Sequence, residues 1–157
     1  MAACEATWVP RLEAAGVEVV FLVGNPTLIF ESRLTGRMLE LRCGDAYEDL
    51  PMKTQRFCRW AVQHRSFDHL FKCDDDTHID AEAFLEFDVA GGDYLGAGMP
   101  GSYASGGSGY FLSPRAAHVV ARGPLDHWAE DRAVGDLLAE HGIELTVSNR
   151  FRNCDPD

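Results

Sequence analysis

An apolar run at residues 17–23 most constrains how this chain can fold. The run is rich in β-branched and aromatic residues, and Gly24-Asn25-Pro26 ends it in a turn. A strand buried on both faces has this continuous apolar pattern, and such strands are typical of parallel sheets covered by helices. The run therefore predicts a central parallel strand and an α/β fold.

Strand and helix patterns alternate along the rest of the chain. Further strand patterns lie at residues 39–42, 67–71, 94–97 and 143–147. Helical patterns lie between them, beginning at Asp49, at residue 80, at the Ser113 cap and at Glu130. This order predicts one domain over residues 1–157, with a mostly parallel, Rossmann-related sheet flanked by helices.

Charge and hydropathy narrow the classes of partner. The formal net charge is -11, with 25 acidic residues against 14 lysines and arginines, which argues against a nucleic-acid partner or an anionic membrane surface. The chain contains no run of about 18 apolar residues, so it shows no membrane segment. We expect a soluble chain with one hydrophobic core.

The five cysteines are widely spaced and form no CxxC pair, which argues against structural zinc. We interpret Cys58 and Cys73 as small buried hydrophobic residues. A reduced compartment is weakly favoured, and disulfides stay open.

A triplet of carboxylates, Asp74-Asp75-Asp76, follows the predicted strand at 67–71. Adjacent carboxylates repel each other unless a cation neutralises them, and oxygen ligands suit Mg²⁺ or Mn²⁺ bound beside a substrate phosphate. In open α/β sheets, ligands bind beyond the carboxyl ends of the strands. The triplet therefore suggests a metal-diphosphate site, with a solvated acidic turn as the alternative.

Two later segments also offer chemistry. The glycine-rich run at residues 105–110 would let backbone amides approach a polar ligand, unless it is only a linker. Glu130 and Asp131 begin a helix, where acidic side chains stabilise the dipole, but one of them could instead act as a general base. Trp128, just before them, is either a core residue or a platform on which a sugar stacks.

Taken in order, these segments resemble glycosyltransferase family 31, which includes β-1,3-galactosyltransferases, core-1 enzymes and fringe-type enzymes. The agreement lies in Cys4–Trp8, Phe21–Gly24, Asp45–Thr54, Phe71–Asp76, Tyr103–Ser113, and Glu130–Gly135 with Gly142-Ile143. These segments include the K-x-D-D-D motif and the E-D…G…G-I motif of the family. The resemblance implies a GT-A-like fold and inverting, β-1,3-directed transfer of galactose or an N-acetylhexosamine.

The resemblance also implies the partners and the residue roles. A UDP-sugar donor would bind with Mn²⁺ or Mg²⁺, and a glycan or glycoprotein would be the acceptor. Asp76 and Asp74 would hold the metal, and Asp131 would be the catalytic base. We assign nucleotide-sugar binding to Asp75, Lys72, Lys53, Gly107 and Gly109, and acceptor binding to Trp128, Tyr110 and Glu130.

Two departures from the family pattern keep other hypotheses open. Family members carry another strand before the Thr7-Trp8 segment and a metal-binding histidine after the Glu-Asp helix, so we expect a chain shortened at both ends. An inactive glycosyltransferase-like domain that binds a glycan or a protein partner is the alternative, and a nucleotide-sugar hydrolase is a third possibility. The resemblance suggests the Golgi lumen, whereas the chain shows no anchor, so localisation is left open.

Overall fold

Six α-helices and nine strands alternate through residues 2–151, the part of the chain that this computed structural model describes. The helices are α1 (Ala2–Ala6), α2 (Val9–Ala14), α3 (Leu50–His64), α4 (Ala81–Leu85), α5 (Pro114–Arg122) and α6 (Glu130–Glu140). The strands are β1 (Phe21–Gly24), β2 (Ser32–Thr35), β3 (Met38–Leu41), β4 (Leu70–Lys72), β5 (Tyr94–Gly96), β6 (Gly98–Met99), β7 (Tyr103–Ala104), β8 (Tyr110–Leu112) and β9 (Thr146–Val147). The fold class is therefore α/β, as predicted.

The strands form two mixed sheets and a small ribbon. The first sheet has the order β1-β3-β2, with β1 parallel and β2 antiparallel to β3. The second has the order β4-β8-β5-β9, in which β8 runs antiparallel to both of its neighbours and β9 runs parallel to β5. Strands β6 and β7 pair as an antiparallel ribbon.

The prediction of a mostly parallel sheet is wrong for the described strands. Among the strand pairs within residues 2–151, only β1–β3 and β5–β9 are parallel. Strand β2 turns directly into β3 through Gly36, whose φ of +60° suits a tight turn, and a short turn of this kind gives an antiparallel pair. The predicted central strand also lies at an edge, because among the described strands β1 pairs with β3 alone.

Helix boundaries follow the predicted signals closely. The Ser113 hydroxyl accepts the Ala116 N–H at 3.2 Å and caps α5, which starts with Pro114. Asp49 precedes α3 as predicted, but its carboxylate accepts the Ala46 N–H at 3.0 Å instead of capping the helix. Strands β1, β4, β5 and β9 are shorter than their predicted runs, whereas β3 has the predicted length and begins one residue earlier. Strand β1 covers only the last three residues of the 17–23 run and ends at Gly24.

The main hydrophobic core lies between helices α3, α5 and α6 and the two sheets, with β3 contributing from the first sheet. Its fully or nearly fully buried members include Leu39, Trp60, Tyr94, Val120 and Leu138. A second cluster joins α1 and α2 to β1 through residues such as Trp8, Leu12 and Phe21. The main core attaches α6 firmly to the sheet that carries β4 and β8.

A close backbone contact adds to this attachment. A Cβ placed on Gly135, in the middle of α6, would lie 2.3 Å from Tyr103 Cβ, so only glycine lets α6 approach β7 this closely. Within residues 2–151, no helix has the length and apolar character needed to cross a membrane.

The cysteine interpretation is confirmed for Cys58, which is 1% exposed in the main core, whereas Cys73 is only partly buried. Burial raises the pKa of the Cys73 thiol to about 11. Cys4, Cys43, Cys58 and Cys73 are free thiols, and Cys154 lies outside the described residues.

Candidate active site

Three separate segments meet at one end of the second sheet. They are the turn after β4, which carries the carboxylate triplet, the glycine-rich loop between β7 and β8, and the first turn of α6. Strands β4 and β8 pair in a register that sets Lys72 opposite Tyr110. The sheet therefore holds the triplet and the glycine loop side by side.

A buried lysine joins the first and third of these segments. Lys72 Nζ donates to Glu130 Oε2 at 3.0 Å and to Asp74 Oδ1 at 3.1 Å. The side chains of Lys72 and Glu130 are 9% and 4% exposed, so this ion pair is shielded from water. Lys72 thereby connects the carboxylate turn to α6.

Tyr110 completes this buried cluster. Its hydroxyl donates to Glu130 Oε1, and Lys72 Nζ lies 5.9 Å from the centre of its ring. Both oxygens of the Glu130 carboxylate are thus bonded, one to an ammonium and one to a hydroxyl. A buried carboxylate needs this kind of compensation, because removal from water is costly for an unpaired charge.

Electrostatics keep the cluster in one charge state. Burial alone would lower the pKa of Lys72, but the carboxylates of Glu130 and Asp74 outweigh it and hold that pKa above its ordinary value. Burial, with the Glu130 charge in addition, raises the pKa of Tyr110 well above its ordinary value. At neutral pH the lysine therefore stays charged and the tyrosine neutral.

Asp131 follows Glu130 in the same helical turn and is partly buried. The Gly106 N–H donates to Asp131 Oδ2 at 3.3 Å, which brings the glycine loop onto the start of α6. Gly106 was not among the predicted site residues. Its position in the glycine-rich run was the available signal, but the run does not show which glycine faces the helix.

The glycines of the loop differ in what surrounds them. Gly107 accepts a 2.8 Å hydrogen bond from the Thr77 hydroxyl at its carbonyl, and a Cβ on it would lie 3.8 Å from Asp74 Oδ2, an ordinary contact distance. Gly109 has a φ of +81°, and a Cβ there would lie 2.3 Å from Phe71 Cζ. The need for glycine at 109 is therefore explained by packing, while Gly107 lies beside the carboxylate turn.

The carboxylate triplet is graded in exposure, with Asp74 partly buried and Asp75 and Asp76 exposed. The Asp75 carbonyl accepts a hydrogen bond from the Cys4 thiol at 3.1 Å, which ties the turn to α1. Across residues 2–151, no group of three or more histidine, cysteine or acidic side chains lies close enough to hold a metal ion by itself.

Lys53 has different contacts from Lys72. It pairs with Asp45, and Asp45 Oδ1 also accepts the Gly24 N–H at 2.9 Å. This places Lys53 at the carboxyl end of β1 in the first sheet, where the Lys53 side chain is 12% exposed and that of Asp45 is 52% exposed.

Trp128 is an exposed surface residue, not a core residue. It is 66% exposed, and its ring centre lies 6.3 Å from that of Tyr47, which is 65% exposed. His127 stacks on Trp128 with ring centres 5.6 Å apart. Tyr47 was not among the predicted site residues, although it lies in the Asp45–Thr54 segment that carried the family resemblance.

Tyr110 and Glu130, which were predicted to bind the acceptor, are both buried. Tyr110 is 0% exposed and Glu130 is 5% exposed. The structure instead shows these two residues bonded to each other beneath the loop.

The first part of the chain matches a known protein family. The family model described as Galactosyltransferase matches residues 2–91, which is more than half of the 157-residue chain. The match includes Lys53, Lys72 and the carboxylate triplet. It ends before the glycine loop and α6, so the contacts between these regions come from the structure.

Curated relatives agree over short segments. The chain is 51% identical over 39 residues to the mouse protein UDP-GalNAc:beta-1,3-N-acetylgalactosaminyltransferase 2, covering 25% of this chain and 8% of that protein. The human protein of the same name gives 49% over 39 residues, with 25% and 8% coverage. Hydroxyproline O-galactosyltransferase GALT2 of Arabidopsis thaliana gives 32% over 89 residues, covering 51% of this chain and 13% of that protein. The matched segments thus span only a small part of these relatives.

Proposed function

We propose that this chain, which belongs to the galactosyltransferase family, glycosyltransferase family 31, is a metal-dependent inverting glycosyltransferase with a GT-A-like fold. It would move galactose or an N-acetylhexosamine from a UDP-sugar to a carbohydrate hydroxyl and form a β-1,3 linkage. The relatives' names, which specify galactosyl or β-1,3-N-acetylgalactosaminyl transfer, support this choice of reaction.

One observation carries the proposal. Lys72 binds Asp74 at 3.1 Å and Glu130 at 3.0 Å, so the turn proposed to bind the donor is held against the helix that carries the proposed base. A transferase must bring a nucleotide-sugar and an acceptor hydroxyl together in one oriented site, because proximity and orientation supply much of the rate. Segments far apart in the sequence meet in a way that suits this requirement.

The carboxylate turn fits a hard divalent ion by its donor chemistry. It offers oxygen ligands only, and Asp76 and Asp75 are exposed while Asp74 is partly buried. Mg²⁺ usually takes one or two protein carboxylates and completes its shell with substrate phosphates and water, so a cage of three protein ligands is not required. Asp76 and Asp74 would hold the ion, which when bound would neutralise charge on the departing diphosphate.

Asp131 is the proposed general base. Its Oδ2 is fixed by the Gly106 N–H, and its partial exposure leaves it accessible to an acceptor hydroxyl. In the proposed step it takes the proton of that hydroxyl, the hydroxyl oxygen bonds to the anomeric carbon, and the bond from that carbon to the diphosphate breaks with its electron pair on UDP. Attack from the face opposite the diphosphate inverts the anomeric carbon.

The exposed aromatic pair of Tyr47 and Trp128 would bind the acceptor. The two rings are neighbours, and each has about two-thirds of its surface in water, so together they form a small exposed aromatic patch. The apolar faces of sugar rings suit such a platform, and Trp128 lies only three residues before Asp131. An acceptor sugar on this pair would thus lie near the proposed base.

The first test is titration of UDP into the chain with Mn²⁺ and then with EDTA, using wild type, Asp76→Ala and Asp68→Ala. Asp68 is the matched control, since it is also exposed but precedes β4 instead of following it. We expect metal-dependent binding in wild type and Asp68→Ala and its loss in Asp76→Ala. Radiolabelled transfer from UDP-galactose and UDP-N-acetylgalactosamine to a glycan panel then tests the reaction.

Equal binding in the presence of Mn²⁺ and EDTA would contradict metal dependence. Absence of UDP binding under both conditions would contradict the transferase proposal for this chain. It would favour the alternative, a glycosyltransferase-like domain that binds a glycan or protein partner without catalysis.

A further inference from the structure

We infer that Glu130, held by Lys72 and Tyr110, is a positioning residue that fixes Asp131 relative to the carboxylate turn. This inference rests on the proposed function, in which Asp131 is the base. It gives Glu130 and Tyr110 a role different from acceptor binding.

The burial of Glu130 is the first argument. An acidic residue in a first helical turn is usually explained by the helix dipole, which acts well on an exposed side chain. Glu130 is only 5% exposed, so the dipole alone does not account for its environment. Its two oxygens are bonded to groups on β4 and β8, which anchors the start of α6 to two strands of the sheet.

Chain connectivity is the second argument. Asp131 is the next residue, and the Ala133 N–H donates to the Ala129 carbonyl at 3.0 Å, which closes the turn that contains both acids. Because the backbone of this turn is fixed, anchoring Glu130 also restricts Asp131. A continuous series of contacts then runs from Asp131 through Glu130 and Lys72 to Asp74.

Tight packing over the cluster is the third argument. A Cβ on Gly106 would lie 3.3 Å from Asp131 Cβ, 3.3 Å from Glu130 Oε2 and 3.5 Å from Lys72 Nζ. The glycine loop therefore rests directly on the buried cluster while its Gly106 N–H bonds to Asp131. A displacement of Glu130 would therefore disturb both the packing of Gly106 on the cluster and the hydrogen bond from Gly106 to Asp131.

The test compares Tyr110→Phe with Tyr94→Phe in the full chain. Each substitution removes one buried hydroxyl, since Tyr110 bonds to Glu130 and Tyr94 accepts the Ala104 N–H at 2.8 Å. Their rings are in edge contact, with centres 5.7 Å apart, so the two sites share one part of the core. Only the first substitution touches Glu130. Glu130→Gln, which keeps the shape but removes the charge, is the second test variant.

Amide hydrogen exchange is the readout that needs no activity. We expect the Gly106 and Ala133 amides to exchange about tenfold faster in Tyr110→Phe than in Tyr94→Phe, because a lost anchor raises local opening. Glu130→Gln should show the same pattern. Equal exchange at Gly106 in all variants would overturn the inference.

Kinetics provide the second readout. We expect kcat to fall by about tenfold or more in Tyr110→Phe and Glu130→Gln with the donor KM within about twofold of wild type, since misplacing a group by about 1 Å can cost about 100-fold. Tyr94→Phe should keep the wild-type kcat. A wild-type chain without transfer would contradict the proposed function, and amide exchange would still decide the inference.

Discussion

The inner and outer halves of the candidate site differ in how far their side chains are buried and bonded to each other. The inner half, Lys72, Glu130, Tyr110 and Gly109, is buried, and its polar groups are bonded to each other. The outer half, Asp76, Gly107, Tyr47 and Trp128, contains two aromatic side chains with about two-thirds of their surface exposed. Substitutions inside should therefore lower stability, and substitutions outside should lower ligand binding.

The largest expected effect is that of Lys72→Met. Removing the ammonium leaves the Glu130 carboxylate buried without its counter-charge, which should lower the free energy of unfolding by about 3–5 kcal/mol. Urea unfolding followed by circular dichroism measures this. The double variant Lys72→Met/Glu130→Leu should recover most of the loss, because replacing a whole buried ion pair is often neutral. If Lys72→Met lowered the free energy of unfolding by less than about 1 kcal/mol, the ion pair would behave like an exposed one, which would contradict its burial.

Within the glycine loop, Gly109→Ala should lower the stability of the protein much more than Gly107→Ala. Gly109 combines a φ of +81° with a Cβ position 2.3 Å from Phe71 Cζ, so alanine there should cost about 2–4 kcal/mol from strain and overpacking together. At Gly107 the nearest atom to a new Cβ lies at 3.8 Å, and the cost should stay within about 1 kcal/mol. Thermal unfolding of the two variants in parallel makes the comparison, and equal melting temperatures would break it.

Trp128→Ala tests the outer half. Because the indole is 66% exposed, its loss should change the free energy of unfolding by less than about 0.5 kcal/mol. The acceptor KM should rise by up to about tenfold if the ring stacks on a sugar, a contact worth about 0.5–1.5 kcal/mol. Transfer assays at varied acceptor concentration measure this, with Tyr47→Ala as a companion expected to behave alike. An unchanged acceptor KM in both would remove the platform from the proposal.

The smallest expected effect belongs to the ion pair of Lys53 with Asp45, whose carboxylate side chain is half exposed. The hydrogen bond from Lys53 lowers the pKa of Asp45 below its ordinary value of 3.8. The stabilisation is therefore present above that pH and is lost as the pH falls through the folded-state pKa. Solvent screening limits it, so Lys53→Met should cost less than about 1 kcal/mol at about pH 6 and almost nothing at about pH 2. Urea unfolding at both values checks this, and a pH-independent difference would assign the effect to packing.

Local signals in the sequence predicted helix boundaries better than sheet order. Ser113 caps the start of α5, Pro114 is its first residue and Gly123 follows its last, so the helix begins and ends as predicted. The position of β8 between β4 and β5 depends on pairing between distant segments, which no local pattern reports. An apolar pattern also describes burial more than extended structure, so β1 is shorter than its run.

In the candidate site, too, features with a local sequence signal were predicted and features that depend on distant contacts were not. The carboxylate triplet, Asp131 and Trp128 were predicted because their residue types and neighbours carry a chemical meaning. The buried environment of Glu130 was not predicted, because its counter-charge, Lys72, lies 58 residues away in the sequence. The local pattern around Glu130 is that of an ordinary acidic residue at a helix start, and the predictions of a role for it came without any sign of its burial.

Gly135 gives α6 a second fixed point. The helix is held at Glu130 by Lys72 and Tyr110, and five residues later by the contact of Gly135 with Tyr103. These points are separated by about 7.5 Å along the axis and by about 140° around it. Two attachments on different sides prevent the helix both from sliding and from rolling. The backbone of Asp131 is therefore held in one position relative to the sheet. We expect any movement that admits a substrate to occur in the loops that face Asp131.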